Sequence, residues 1–295
     1  MSNTPKSAVK NIAENIAKSP AGTRSWSETL LALLTWSAAI LTVGTLVFLV
    51  GFVLIKGLPH IKPSLFSLTY NSVNVSLLPA LISTVMMTAL SLAFAVPLGV
   101  FAAIYLVEYA KRSNKAVVLV RMTTETLSGI PSIVYGLFGL LFFVTFLGWG
   151  FSLLAGAFTL AIMILPLIMR SSEEALKSVP DSYREGAFGL GAGKLRTVFN
   201  IVLPSAMPGI LAGIILAVGR IVGETAALIY TAGTVAQIPL SPMQSARTLS
   251  VHMYALSSEG LHTQEAYATA VVLLLVVILI NAAAAKIARR IGGTQ

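Results

Sequence analysis

Four glycines, Gly186, Gly189, Gly191 and Gly193, run straight into Lys194, a composition that could wrap a phosphate in backbone N–H groups. A nucleotide loop of that kind reads G-x-x-x-x-G-K followed by Ser or Thr, because the hydroxyl must ligate magnesium. Here Phe188 stands where the first glycine belongs and Leu195 where the hydroxyl belongs. The dinucleotide pattern G-x-G-x-x-G fails too, since Gly189, Gly191 and Gly193 alternate strictly. No nucleotide site of the chain's own is expected. Paired-aspartate proteolysis is ruled out because Asp181 is the sole aspartate, and H-E-x-x-H is absent. The absence of cysteine removes thiolate chemistry and Cys-based metal sites. His60, His252 and His262 fall between the apolar stretches with no acidic cluster beside them, and read as ordinary loop residues. No enzyme activity, cofactor or metal is expected.

What remains is charge in apolar surroundings. Arg220 and Glu224 lie inside the apolar stretch 207–232, where an ionisable group costs a few kcal/mol and is functional by default. Four residues apart, they share one face if the helix continues. One reading is a self-neutralising pair that lets the helix insert. The favoured one has Arg220 offer its guanidinium fork to a crossing oxyanion, with Glu224 holding it and tempering its field so that the anion can leave. Arg121 and Glu125 repeat the spacing, but Gly129-Ile130-Pro131 breaks the helix after them. Residues 117–128 are then an interfacial helix, and the pair is expected to fix it at the membrane edge. Arg170, ending the fourth apolar stretch, is first an orientation anchor and second a candidate for the inner mouth of an anion path.

These residues need a scaffold, and composition says which. Only 11% of the 295 residues are charged while 56% are hydrophobic, against about 25% charged in a soluble domain. Mean hydropathy is +0.86. Stretches of about 20 apolar residues can each span a bilayer, and six qualify: 30–55, 77–107, 130–149, 151–169, 207–232 and 266–285. Pro97 predicts a kink in the second. Gly148-Trp149-Gly150 predicts a tight hairpin between the third and fourth.

An even number of spans leaves both ends on one side. Fifteen basic residues, among them Lys6, Lys111, Arg170, Arg184 and Lys286, fall on that side, against Lys56, Lys62 and Arg247 on the other. The imbalance predicts cytoplasmic termini. It also accounts for the net charge of +9 without nucleic acid. The expected organisation is a cytoplasmic tail (1–28), a first span and external loop (29–76), a main membrane domain (77–285) and a second cytoplasmic tail (286–295). The N-terminal tail lacks the short apolar core and small-residue site of a cleaved signal peptide. Gly209 and Gly213, then Gly219 and Gly223, form two G-x-x-x-G patterns that let helices approach closely in lipid; packing on a second membrane subunit is expected.

The glycine-rich segment fits another pattern. Glu185-Gly186-Ala187, three residues, Gly191, nine residues and Ile201-Val202-Leu203-Pro204 resemble the EAA loop of ABC-importer permeases, with Gly186 where that family usually has alanine. Asp181 or Ser182 is a plausible N-cap for its first helix. Ala187 and its neighbours are read as a small-residue face for a partner, Gly191 as a turn that a Cβ would oppose, and Pro204 as the end of the second helix. The resemblance implies that Glu185, Gly186, Ala187, Gly191, Ile201, Leu203 and Pro204, within residues 180–204, dock on a cytoplasmic ATPase.

Two further segments narrow the likeness. Arg220-Ile-Val-Gly-Glu224-Thr-Ala-Ala-Leu-Ile-Tyr-Thr-Ala, and the run from Arg121 through Glu125 to Gly139, resemble the PstA-type permeases of phosphate importers, with Ala227 where those commonly carry proline. The resemblance covers residues 77–285. It implies an all-α membrane protein of the type I importer (MetI-like) fold with six transmembrane helices in the inner membrane. Implied partners are a second permease (PstC type), two ATPase copies (PstB type), an external phosphate-binding protein (PstS type) best received on residues 233–265, and inorganic phosphate as cargo. The EAA loop itself does not separate phosphate from molybdate, sulfate or phosphonate importers. A secondary transporter would normally show an internal repeat and central acids for a coupling ion; the sequence has no convincing repeat, and the EAA loop would then be unexplained.

Overall fold

A computed structural model describes residues 26–111 and 114–292; most of the N-terminal tail, Arg112 and the last residues of the C-terminal tail lie outside that range. The chain divides into two units, residues 1–52 and 53–295. In the first, the described residues form helix α1 (Trp26–Gly57), which runs on to the start of the second. It is apolar around its whole circumference, as a helix in lipid must be.

The second unit holds helices α2 (Leu78–Tyr109), α3 (Lys115–Ser128), α4 (Ser132–Phe146), α5 (Leu153–Lys177), α6 (Asp181–Gly189), α7 (Lys194–Gly223), α8 (Ala226–Thr231), α9 (Leu249–Glu259) and α10 (Thr263–Gly292). Among the described residues five helices are long and apolar enough to cross a membrane, or six if the bent pair α3–α4 counts as one span. The expected six is the upper of these two counts.

α5 is the axis. Two thirds of its most apolar window is buried, against a third or less for the other four unbroken spans. α2 and α7 pack on it, and α10 packs on α7. Small residues make this possible, because helices in lipid associate by close backbone approach. A Cβ on Gly99 would stand 2.8 Å from Ile168 of α5, and one on Gly209 would stand 2.7 Å from Ala175. At Gly213 it would overlap Ser171. The first G-x-x-x-G pair is therefore spent inside this chain, on α5, and not on a second subunit. Gly219 and Gly223 face open space.

Breaks fall where backbone chemistry demands them. Pro131 has no N–H and cannot continue α3; α4 leaves at 103°, and the Tyr135 hydroxyl crosses the bend to donate to the Leu127 carbonyl at 2.7 Å. Gly148 and Gly150 take φ of +69° and +63°, the left-handed region that glycine enters without penalty, and they close the α4–α5 hairpin. Pro97 sits within α2 without interrupting it. Residues 233–248 arch over the start of α5, and the carbonyls of Pro242 and Gln244 accept from its free Leu154 and Leu153 N–H groups at 2.8 Å.

Three expectations about the EAA segment need correcting. The N-cap of α6 is Pro180, with no side-chain cap, so neither Asp181 nor Ser182 fills that position. Ala187 is 5% exposed, buried against its own chain. Pro204 does not end a helix: α7 continues through it, with a π-type turn over Val198–Val202. The proline ring would strike the carbonyl four residues earlier, at Asn200, and the widened turn lies there.

Candidate functional site

Arg220 occupies the last turn of α7. It opens on a cavity of 280 Å³ whose other walls are Thr124 and Ser128 of α3 and Met163, Pro166, Leu167 and Arg170 of α5. The bend at Pro131 separates α3 from α4, and α5 and α7, which carry the two arginines, pack closely at Gly209 and Gly213. No carboxylate lines this cavity. Arg170 pairs with Glu174 at 3.2 Å, but both side chains are largely exposed, and such a pair contributes little. Arg220 has no ion pair among the described residues. Two guanidinium groups in apolar walls, one without a counter-ion, can bind an oxyanion by charge-assisted hydrogen bonds.

Glu224 is not the partner its spacing predicts. α7 ends at Gly223, and Glu224 turns to extended backbone with ψ 129°. Its Oε1 accepts from the Ala227 N–H at 3.1 Å and so satisfies a first-turn donor of α8 from one residue before the N-cap, Thr225. The Glu224 carbonyl accepts from the Ser250 hydroxyl at 2.6 Å. The departure at Ala227 is thus meaningful, because a proline there would have no N–H for this bond.

Arg121 does not meet Glu125 either. Its Nη2 lies 2.6 Å from Oε1 of Glu173 on α5, and Lys177 Nζ reaches the same oxygen at 2.6 Å. α3 is a separate short helix, and its anchor is tertiary. Spacing alone does mark Glu173, four residues before Lys177; nothing in the sequence marks its link to Arg121.

At the EAA segment Gly191 takes φ +82°, as expected of a turn that opposes a Cβ. Arg184 holds the base of α6: Nη2 donates to Glu108 at 2.7 Å and to the Leu176 carbonyl at 2.9 Å, and Nη1 to the Val179 carbonyl at 2.8 Å. A buried, hydrogen-bonded pair of this kind is costly to break, yet Arg184 reads in the sequence only as one more basic loop residue. Glu185 and Gly186 are exposed, Ile201 and Leu203 are half-buried, and Pro204 is exposed. The apolar surface here is Tyr183, Phe188, Leu195 and above all Leu190, 91% exposed.

The segment after α8 also differs from an open external loop. His252 is fully buried, with Nδ1 3.4 Å from Arg247 Nη1. Burial and then the Arg247 charge lower its pKa to about 4, with the Val75 backbone opposing. Leu249 donates to the Thr84 hydroxyl at 2.9 Å, which ties α9 to α2. No His, Asp and Glu cluster able to hold a metal occurs among the described residues.

Residues 95–293 match the family model described as binding-protein-dependent transport system inner membrane component. The chain belongs to that family. It is 36% identical over 211 residues to the phosphate transport system permease protein PstA 1 of Mycobacterium tuberculosis (strain ATCC 25618 / H37Rv), over 70% of this chain and 68% of that one. It is 40% identical over 179 residues to the probable ABC transporter permease protein YqgI of Bacillus subtilis (strain 168), over 56% of this chain. The match spans 60% of YqgI's length, short of two thirds. Among solved structures, a subunit of a bacterial alginate ABC transporter superposes with TM-score 0.65 over 91% of this chain and 98% of its own, at 18% identity. A chain of the MetNI methionine ABC transporter gives 0.57 over 72% and 93%, at 21% identity. These likenesses establish the fold, that of type I importer permeases. The permease is thus a multi-pass inner-membrane component, and its relatives are transport subunits and not ATPases.

Proposed function

We propose that this permease carries inorganic phosphate inward as one of two membrane subunits of an ATP-driven importer. Its partners would be a second permease of the PstC type, two ATPase copies of the PstB type under residues 180–204, and a phosphate-binding protein of the PstS type outside, with both termini cytoplasmic. The observation that carries the proposal is the carboxylate-free cavity bearing Arg170 and Arg220, which suits a small oxyanion and repels nothing anionic. The PstA 1 likeness supports phosphate over other oxyanions. The exposed apolar rim at Leu190 and Leu195 supports docking, since apolar surface at a tight turn is what a groove would cover. Closure of the ATPase pair would move the α6–α7 turn and rock the spans between outward and inward access.

The test is labelled-phosphate uptake by the reconstituted complex with molybdate, sulfate and phosphonate as competitors. Phosphate should be taken up in preference to each, and preference for molybdate would overturn the substrate. Uptake that persists without the ATPase subunit would instead mean a secondary carrier.

A further inference from the structure

Next to the Arg220 cavity lies a second one of 190 Å³, sharing Thr124 and Arg170 with it. Arg121, Glu125, Glu173, Glu174 and Lys177 complete its charged wall. Glu173 is 7% exposed, and one of its oxygens lies 2.6 Å from both cations. A third cavity, of 530 Å³, adjoins the second through Arg121 and Lys177 and reaches Arg184. Cations therefore step from Arg220 toward the α6–α7 end. Each one beyond Arg220 is already paired with a carboxylate: Arg170 with Glu174, Arg121 and Lys177 with Glu173, Arg184 with Glu108 and Asp181.

The Glu173 group differs from a simple ion pair in its count. Two cations from two helices converge on one carboxylate oxygen, in a cleft where Arg121, Arg170 and Lys177 are balanced by Glu125, Glu173 and Glu174. A carboxylate so placed occupies the position that a phosphate oxygen would take, because either anion would sit between the same two cations. Being tethered, it competes at high effective concentration.

We infer that Arg121 and Lys177 form a second, exit-side phosphate site whose affinity is held down by Glu173 acting as a built-in competing anion. This rests on the reading of the Arg220 cavity as the phosphate path and of the α6–α7 end as cytoplasmic. A phosphate moving off Arg170 meets the next cations only by displacing a carboxylate, so it is held weakly and leaves. Two unpaired cations there would retain it and slow the return of the carrier.

The complete complex in proteoliposomes, loaded inside with graded inorganic phosphate, tests this. The readout is the internal concentration that halves uptake, relative to each complex's own uptake into phosphate-free vesicles, with internal sulfate as the ionic control. Glu173→Gln should lower that concentration at least tenfold, and adding Arg121→Gln and Lys177→Gln should bring it back. An assembled Glu173→Gln complex within twofold of the original would overturn the proposal, since a purely structural pair changes the amount of uptake and not its sensitivity to internal phosphate. Should Glu173→Gln fail to assemble, Glu173→Asp, its carboxylate withdrawn by one methylene, should give about a threefold drop; no drop refutes the idea equally. Normal uptake by an assembled Arg220→Gln complex would remove the phosphate path itself, a separate result from a flat response to internal phosphate.

Discussion

Replacing Arg220 by glutamine isolates the anion contact with little structural side effect. No ion-pair partner among the described residues is left unpaired by the change, and glutamine keeps a polar group at the cavity wall. The loss should therefore fall on the ligand. A guanidinium fork supplies two charge-assisted hydrogen bonds, each worth about 1.5–3 kcal/mol. Arg170 remains in the same cavity and takes over part of the charge. The lower end, about 3 kcal/mol, is then the better figure, or roughly a hundredfold weaker apparent affinity at about 1.4 kcal/mol per decade. Arg220→Lys keeps the charge and loses the fork, for roughly tenfold. Glu224→Gln retains the oxygen that accepts from the first turn of α8 and should transport nearly normally, whereas Glu224→Ala loses that capping-type bond at a cost of about 0.5–2 kcal/mol. Labelled-phosphate uptake, with copurification of the partner subunits as the check on assembly, measures all four. Wild-type uptake by an assembled Arg220→Gln complex would refute the reasoning. So would restored uptake in the swap of Arg220→Glu with Glu224→Arg, because the two side chains have no direct bond to exchange.

Packing and turn geometry give further tests. Gly213→Ala forces α7 off Ser171 and should destabilise by about 1–3 kcal/mol, while Gly219→Ala, with open space before it, should gain up to about 1 kcal/mol; melting of the detergent-solubilised permease separates them. Gly191→Ala puts a Cβ into left-handed backbone at φ +82°, costing about 1–2 kcal/mol, and should weaken ATPase copurification. Gly186→Ala meets nothing within 4 Å and should leave copurification intact. His252 has its pKa lowered to about 4 from 6.5, so the unfolded chain takes up the proton first. The associated stability is complete above about pH 6.5 and is lost as pH falls toward 4, to a total of about 3 kcal/mol at 1.36 kcal/mol per unit. His252→Asn should flatten that part of a melting-temperature profile, and an unchanged slope would contradict it.

The spans were legible because lipid imposes one simple requirement, a long apolar run, and six such runs stand out. The bend at Pro131, the hairpin glycines and the turn at Gly191 were legible because each follows from one residue's own backbone. What the sequence did not disclose is which side chains meet across helices. Spacing paired Arg121 with Glu125 and Arg220 with Glu224. Instead Glu173 arrives from α5, and a single extended residue at Glu224 carries its carboxylate off the helix face. Gly209 and Gly213 fit a helix contact, but whether the partner is α5 or another chain depends on the assembled packing. Ala187 and His252 were misjudged for the same reason: a short loop helix folds back onto its own spans, and no local pattern records that.

The unbroken course of α7 bears on how motion would reach the cargo. Pro204 predicts a joint between the docking turn and the span, yet the helix continues from Lys194 to Gly223, a rod of about 45 Å at 1.5 Å per residue. The π-type turn over Val198–Val202 relieves the proline clash without interrupting the rod. Arg220 lies three residues before its far end, beyond which Glu224 leads into α8. Near the other end, Gly191 sets the turn and Arg184 pins α6 to the end of α2 through Glu108. On the proposed reading, the segment that meets the ATPase and the guanidinium that meets phosphate belong to one rigid element. A tilt at the turn would then shift Arg220 against Arg170 on α5, widening or closing the space between the two cations. Anion affinity would thereby depend on the position of the ATPase without any contact between the two sites.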